Sequence, residues 1–267
     1  MIVDFHVHFF PDSIAVKTTK LLSEQANIKC YGDGTIHSLL RYMKEDNIDL
    51  AINLPIATKE EQVISINRKM IEYNKKNNKV ISFGAMHPNF SKVGNIKEEL
   101  EFISKNGIKG IKLHPEYQEF YPDDPKILPI YEACRDFNLI ISFHCGKDIA
   151  FTTVHGTPKR FAEVAKIKSL KLVFGHMGGY QMWDEVEHYI MGLHDIYIDT
   201  SFTLEMDDWQ LKEIILGHGA YKVLFASDFP WQRQIDIVNK IKNLNIGKMQ
   251  EDMIFYKNAL NLLNINH

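Results

Sequence analysis

Eight short apolar runs recur along this chain, each followed by a polar stretch with helical spacing, and that alternation limits the fold more than anything else in the sequence. The runs are Ile2 to His8, Asp49 to Leu54, Val80 to Met86, Gly110 to His114, Leu139 to His144, Leu172 to His176, Ile196 to Thr200 and Val223 to Asp228. They are rich in Val, Ile, Leu and Phe without strict polar alternation, as strands covered on both faces must be. Between them, Ile36, Leu39, Leu40 and Met43 stand at i, i+3, i+4 and i+7, one face of a helix. Segments 59–77, 95–105, 125–137, 158–167, 182–193 and 207–216 have similar spacing. Strand then helix, about eight times, predicts parallel βαβ units, and 267 residues suit one such barrel. The expected fold class is α/β, a single (β/α)8 TIM barrel with residues 1–267 as one domain. A doubly wound open sheet is the competing reading, but no G-x-G-x-x-G follows any run. Residues 9–35, with Pro11, Gly32 and Gly34, are the longest departure and are expected to form a long loop or a short helix.

The chemistry-bearing residues fall at one kind of place. His8, His114, His144, His176 and Asp228 all close an apolar run, and glycine or proline usually follows within a few residues. In a (β/α)8 barrel the carboxyl ends of the strands form the active-site face, so these residues would meet in one mouth. The first run adds His6, two before His8. Side chains two apart on a strand share a face, and two convergent imidazoles can chelate zinc or a similar metal. Taken alone, H-x-H serves as well for two hydrogen-bonded core histidines; the repetition at other strand ends favours a metal. His188, His194, His218 and His267 look scattered, as structural histidines do.

Composition bounds the partners. A net charge of -3 without a basic run gives no reason to expect nucleic acid or an anionic membrane. No apolar run approaches the roughly 20 residues that cross a bilayer. The three cysteines, Cys30, Cys134 and Cys145, have no paired spacing, which suits a reducing cytoplasm, and no signal peptide is visible. The expected location is cytoplasmic. Alternation points Cys145 away from the proposed metal, so it is not expected to act as a nucleophile.

The whole pattern resembles the amidohydrolase superfamily: H-x-H on the first strand, histidines ending the fifth and sixth, aspartate ending the eighth. Gly110-Ile111-Lys112-Leu113-His114-Pro115, Phe174-Gly175-His176-Met177-Gly178-Gly179 and Ser227-Asp228-Phe229-Pro230-Trp231 look like the branch that includes aminocarboxymuconate-semialdehyde decarboxylase and uncharacterised TIM-barrel metal-dependent hydrolases. The resemblance implies a divalent metal held by His6, His8, His144 and Asp228. Zn2+ is the first expectation, with Mn2+, Fe2+ or Co2+ suited to the same ligands. Asp228 would also accept the proton of the activated water, and His176 would polarise the substrate or shuttle a proton. Lys112 is ambiguous: it could be a carboxylated bridge between two metals, with His144 and His176 on the second, or it could pair with Asp228 or another barrel carboxylate. One ion is expected rather than two.

His87, His114, Tyr180 and Trp231 are candidates to bind a small-molecule substrate, with Asn53, Thr200, Ser201, Lys147, His155, Arg160 and Arg233 as further candidates around the mouth. A cation there would favour a carboxylate-bearing substrate. Residues 147–157 and 9–35 are long enough to act as lids. The exposed aromatics expected around Tyr180 to Trp183 would suit a homodimer. The functional expectation is a metal-dependent hydrolase of an amide, lactone or ester of a small organic acid. The alternatives are a non-oxidative decarboxylase of a small carboxylic acid and a non-catalytic metabolite-binding barrel.

Overall fold

The computed structural model describes residues 1–265, and His267 lies outside the described residues. Parallel strands follow one another in chain order: β1 (Val3–Val7), β2 (Leu50–Asn53), β3 (Val80–Ser82), β4 (Gly84–Ala85), β5 (Gly110–Leu113), β6 (Ile140–Phe143), β7 (Lys171–Phe174), β8 (Ile196–Asp199) and β9 (Val223–Leu224). β1 to β3 form one hydrogen-bonded group and β4 to β9 another. β3 and β4 are one stave interrupted at Phe83, whose N–H donates to the Asn53 carbonyl at 2.9 Å. The first and last staves also meet. Phe5 N–H donates to the Phe225 carbonyl at 2.8 Å, Asp228 N–H to that of His6 at 2.8 Å, and His8 N–H to that of Phe229 at 2.6 Å. The expected run to Asp228 is thus shorter as regular strand, but its pairing with β1 continues.

Every residue of β1 is buried, and both Phe5 and His6 reach into the barrel. Phe5 packs with Phe83, Ile140, Val173 and Leu224, which come from staves around the ring. His6 meets residues of β5 and β8. Strict alternation forbids adjacent side chains on one face. The β1–β2 register slips between Asp4 and Val7, and such a bulge re-aims the residues after it. Aliphatic and phenylalanine side chains therefore fill the amino end of the barrel, sealed by Leu260, Leu262 and Leu263 of the last helix, while histidines occupy the carboxyl end.

The 9–35 segment contains a full helix, α1 (Ala15–Ala26), of which only Ala15 and Thr19 are buried. α2 (Ile36–Glu45) starts at Thr35, whose side chain accepts from Ser38 N–H at 3.1 Å, a standard N-cap. α3 (Gln62–Lys76) follows β2. The remaining expected helices are present, most with shorter ends, although the one expected over 207–216 runs on to His218, and further helices lie between Gln234 and Leu263. Among the described residues no helix is long and apolar enough to cross a membrane. His218, one of the scattered histidines, is fully buried at the end of the helix Asp208–His218, with Nε2 3.3 Å from the Ile196 carbonyl.

Candidate metal centre

At the carboxyl mouth β1 and the last stave bring three donors together. His8 Nε2 lies 3.0 Å from Asp228 Oδ1, and His6 Nε2 lies 3.7 Å from the same oxygen. That oxygen is buried and, among the described residues, has no hydrogen-bond partner beyond the His8 contact. Burial works to raise the Asp228 pKa, but His6, His8 and Lys112 outweigh it and hold the carboxyl well below its usual range. Burial, aided by Lys112, depresses the His6 pKa well below its ordinary value, which favours the neutral imidazole. Two imidazoles facing one buried carboxylate oxygen form an N,N,O set that fits a divalent metal. Asp228 sits at φ +64°, and His176 and Met177 at +57° and +56°. Non-glycine residues in that left-handed region are strained, and such strain clusters at functional sites.

Asp199 at the end of β8 holds this group from behind. Its Oδ2 lies 2.9 Å from His6 Nδ1, and its Oδ1 accepts from the N–H groups of His176 and Ser201, both at 3.0 Å. The Ser201 hydroxyl donates to Asp199 and lies 2.9 Å from His176 Nδ1. Burial and the neighbouring imidazoles of His144 and His6 keep His176 well below its usual pKa. Lys112 Nζ is 3.2 Å from His6 Nε2, and burial lowers its pKa. Among the described residues Lys112 makes no ion pair, so the pairing with Asp228 expected as one alternative is not formed.

His144 stands apart from the N,N,O set. Its Nε2 is 2.9 Å from the Lys147 carbonyl and its Nδ1 is 2.8 Å from His176 Nε2. Its ring stacks on His114 at 4.1 Å. His114 in turn lies between Asp148 Oδ2 at 3.3 Å and Glu116 Oε2 at 3.6 Å, and burial pushes it down to about 3. His114, His144 and Asp148 form a second candidate donor group.

A cavity of about 790 Å³ opens above these residues, with His114, Tyr180 and Trp231 in its lining. His87 is outside it: its Nδ1 accepts from Asn89 N–H at 3.1 Å and lies 3.7 Å from Glu60. The arginines expected at the mouth are also elsewhere. Arg160 pairs with Asp123 at 2.6 Å and Arg233 with Asp46 at 2.8 Å, and neither lines the cavity. Long side chains in or beside the first turn of a helix settle onto the nearest carboxylate, which spacing does not reveal. Tyr180 is buried against Phe202, so the exposed aromatic surface expected to favour a homodimer is absent at that residue. Residues 147–157 are latched rather than loose. Glu116 Oε1 accepts from the N–H groups of His155 and Gly156, and Gly146 N–H donates to the Gly156 carbonyl at 2.7 Å. Cys145 is buried, which raises its thiol pKa well above the ordinary value.

Asp199, Asp148 and Glu116 did not emerge from the sequence pattern. Asp199 carried a signal, since it ends β8 as the other strand-end residues end theirs. Asp148 and Glu116 are loop residues whose contacts cross between loops, and nothing in their spacing marks them.

A family model described as amidohydrolase matches residues 3–265. No curated protein matches the chain in sequence. Among solved structures, 5-carboxyvanillate decarboxylase from Sphingomonas paucimobilis superposes with a TM-score of 0.72 at 16% identity, over 99% of both chains. A dihydroxybenzoic acid decarboxylase from Polaromonas sp. JS666, with bound manganese and the inhibitor 2-nitroresorcinol, gives a TM-score of 0.73 at 17% identity, over 100% of this chain and 97% of that one. A probable 2-pyrone-4,6-dicarboxylic acid hydrolase from Acinetobacter baumannii, with citric acid bound, gives 0.69 at 14% identity over 99% of both. At these identities the likeness is one of fold.

Proposed function

The chain belongs to the amidohydrolase family of metal-dependent enzymes, and from that premise we propose that it hydrolyses an amide, lactone or ester of an organic acid, with the whole chain acting as one domain. The observation behind this reading is Asp228 Oδ1, a buried oxygen on a carboxylate held ionised, set at the cavity floor and facing, among the described residues, the imidazoles of His8 and His6. His6, His8 and Asp228 would hold one divalent ion, zinc first, with His144 as fourth ligand once it releases the Lys147 carbonyl. Such an ion supplies Lewis acidity and lowers the pKa of a water toward about 7. Asp228, being ionised, can accept a proton at the floor. His176, neutral and held at Nδ1 by Ser201, would take up at Nε2 the proton that Asp228 accepts and pass it on from there to the leaving atom. Asp199 keeps His6 in the tautomer that presents Nε2.

A second reading is a non-oxidative decarboxylase of a carboxylic acid. Lys112 favours it: its amine lines the cavity without a carboxylate partner and could take a substrate carboxylate. Turnover in oxygen-18 water separates the two. Hydrolysis places one labelled oxygen in the acid product, whereas release of carbon dioxide with no label entering the organic product would replace the first reading by the second. Elemental analysis of protein never exposed to chelator accompanies it. About one metal per chain is expected; about two would favour Lys112 as a carboxylated bridge, and none would refute both readings.

A further inference from the structure

The cavity above the donor residues is far larger and more apolar than the reacting group of a small acid requires. Its volume of about 790 Å³ lies toward the upper end of the roughly 300–1,000 Å³ of sites that enclose drug-sized ligands. The histidines and Asp228 occupy its floor. Its walls are made by α1, the segment after it, the loop that follows β2, and α3, through Leu21, Leu22, Ile28, Ile56, Ile66 and Met70.

Several of these walls are wet. Leu21 on α1 is 50% exposed, and Ile14 and Ile149, which also line the cavity, are 48% and 44% exposed. α1 turns only Ala15 and Thr19 into the protein, so its larger aliphatic side chains are not placed there to pack the core. Away from the floor, the charged lining residues are Lys69 and Lys147, with Asp148 beside His114. Lys69 already lies 3.2 Å from Glu72. That leaves Lys147 as the one wall cation without an ion pair among the described residues, and most of the wall gains by being covered with hydrocarbon.

We propose that the substrate carries an extended apolar tail, an acyl or alkylaryl chain, lying between α1 and α3 with its reacting group at His6, His8 and Asp228. A tail is favoured over a second protein molecule because one and the same cavity is lined by His6, His8 and Asp228 and by these aliphatic residues, so a single ligand can reach both. The inference rests on the metal-dependent reading above and deepens it by naming the substrate class.

The test uses straight-chain hydroxamic acids, from acetohydroxamic to decanohydroxamic acid, titrated calorimetrically into the zinc-loaded full chain. The dissociation constant is expected to fall by about fourfold per added methylene, the transfer value for a buried CH₂, until the groove is filled. Leu21→Asp and Ile66→Asp should flatten that slope, and Leu21 is exposed enough for the first variant to fold. Equal affinity across the series, with acetohydroxamate still bound, would overturn the tail while leaving the metal reading standing. Affinity that grows with chain length but persists in the metal-free chain would overturn the placement of the head at the donor residues. Probe binding lost as protein concentration rises would mean that a second copy covers the groove, which also overturns the proposal.

Discussion

Replacing Asp199 by Asn tests the orientation of the candidate ligands without removing any of them. Asp199 Oδ1 accepts from two backbone N–H groups, those of His176 and Ser201. An asparagine must keep its carbonyl oxygen on that side, because turning the amide over would set its NH₂ against two buried donors. The NH₂ then takes the place of Oδ2, 2.9 Å from His6 Nδ1. His6 Nδ1 must become the acceptor and the ring proton moves to Nε2, the nitrogen that needs a free lone pair for the metal. Loss of such a supporting carboxylate typically weakens metal binding by roughly ten- to a hundredfold, which is about 1.4–2.7 kcal/mol. The assay is zinc affinity by competition with a chromophoric chelator, with thermal melting of both metal-free proteins as the control for folding. Asp199→Asn with zinc affinity within about twofold of the parent, and an unchanged melting point, would refute the tautomer reasoning.

Further outcomes test the rest of the site and the fold. His176→Asn should keep its metal yet lose about a hundred- to ten-thousandfold in turnover, the range for a general acid or base; loss of metal in elemental analysis would make His176 a ligand instead. Lys112→Met should leave about one metal per chain, whereas a parent that loads two ions only when bicarbonate is present, and a variant that loads one, would establish the bridge. His218 is depressed from 6.5 to about 4 by burial. The unfolded chain therefore binds a proton below pH 6.5 that the folded chain refuses, and stability falls as pH drops from 6.5 toward 4, by up to about 3 kcal/mol. Urea unfolding at pH 7 and pH 5 should show a smaller loss in His218→Gln than in the parent; an equal loss would locate the effect in other groups. Gly146 has φ +85° and lies against the backbone of Gly179 and Tyr180. Gly146→Ala should lower the melting temperature by several degrees, in line with strain of about 1–3 kcal/mol, and an unchanged melting point would mean that the two loops part at little cost.

The alternation of apolar runs with helical segments fixed the barrel, because a strand buried on both faces has no other way to read and a strand–helix repeat has few ways to close. The same logic located the mouth: a residue ending a strand can face only the carboxyl end, so His8, His144, His176 and Asp228 were legible before any coordinates. Alternation did not reveal that Phe5 and His6 both point inward. That depends on a register slip against β2, a property of two paired strands and not of either sequence. Nor did it show that Asp199 supports His6, that His144 turns to Lys147 and His176, or that the arginines turn away from the mouth. Each of those is a choice among partners brought near by the closed ring, and side chains take the partner that three dimensions put closest. The apolar wall of α1 belongs to the same class: its leucines are ordinary amphipathic residues in the sequence, and only the fold faces them onto an open cavity instead of a core.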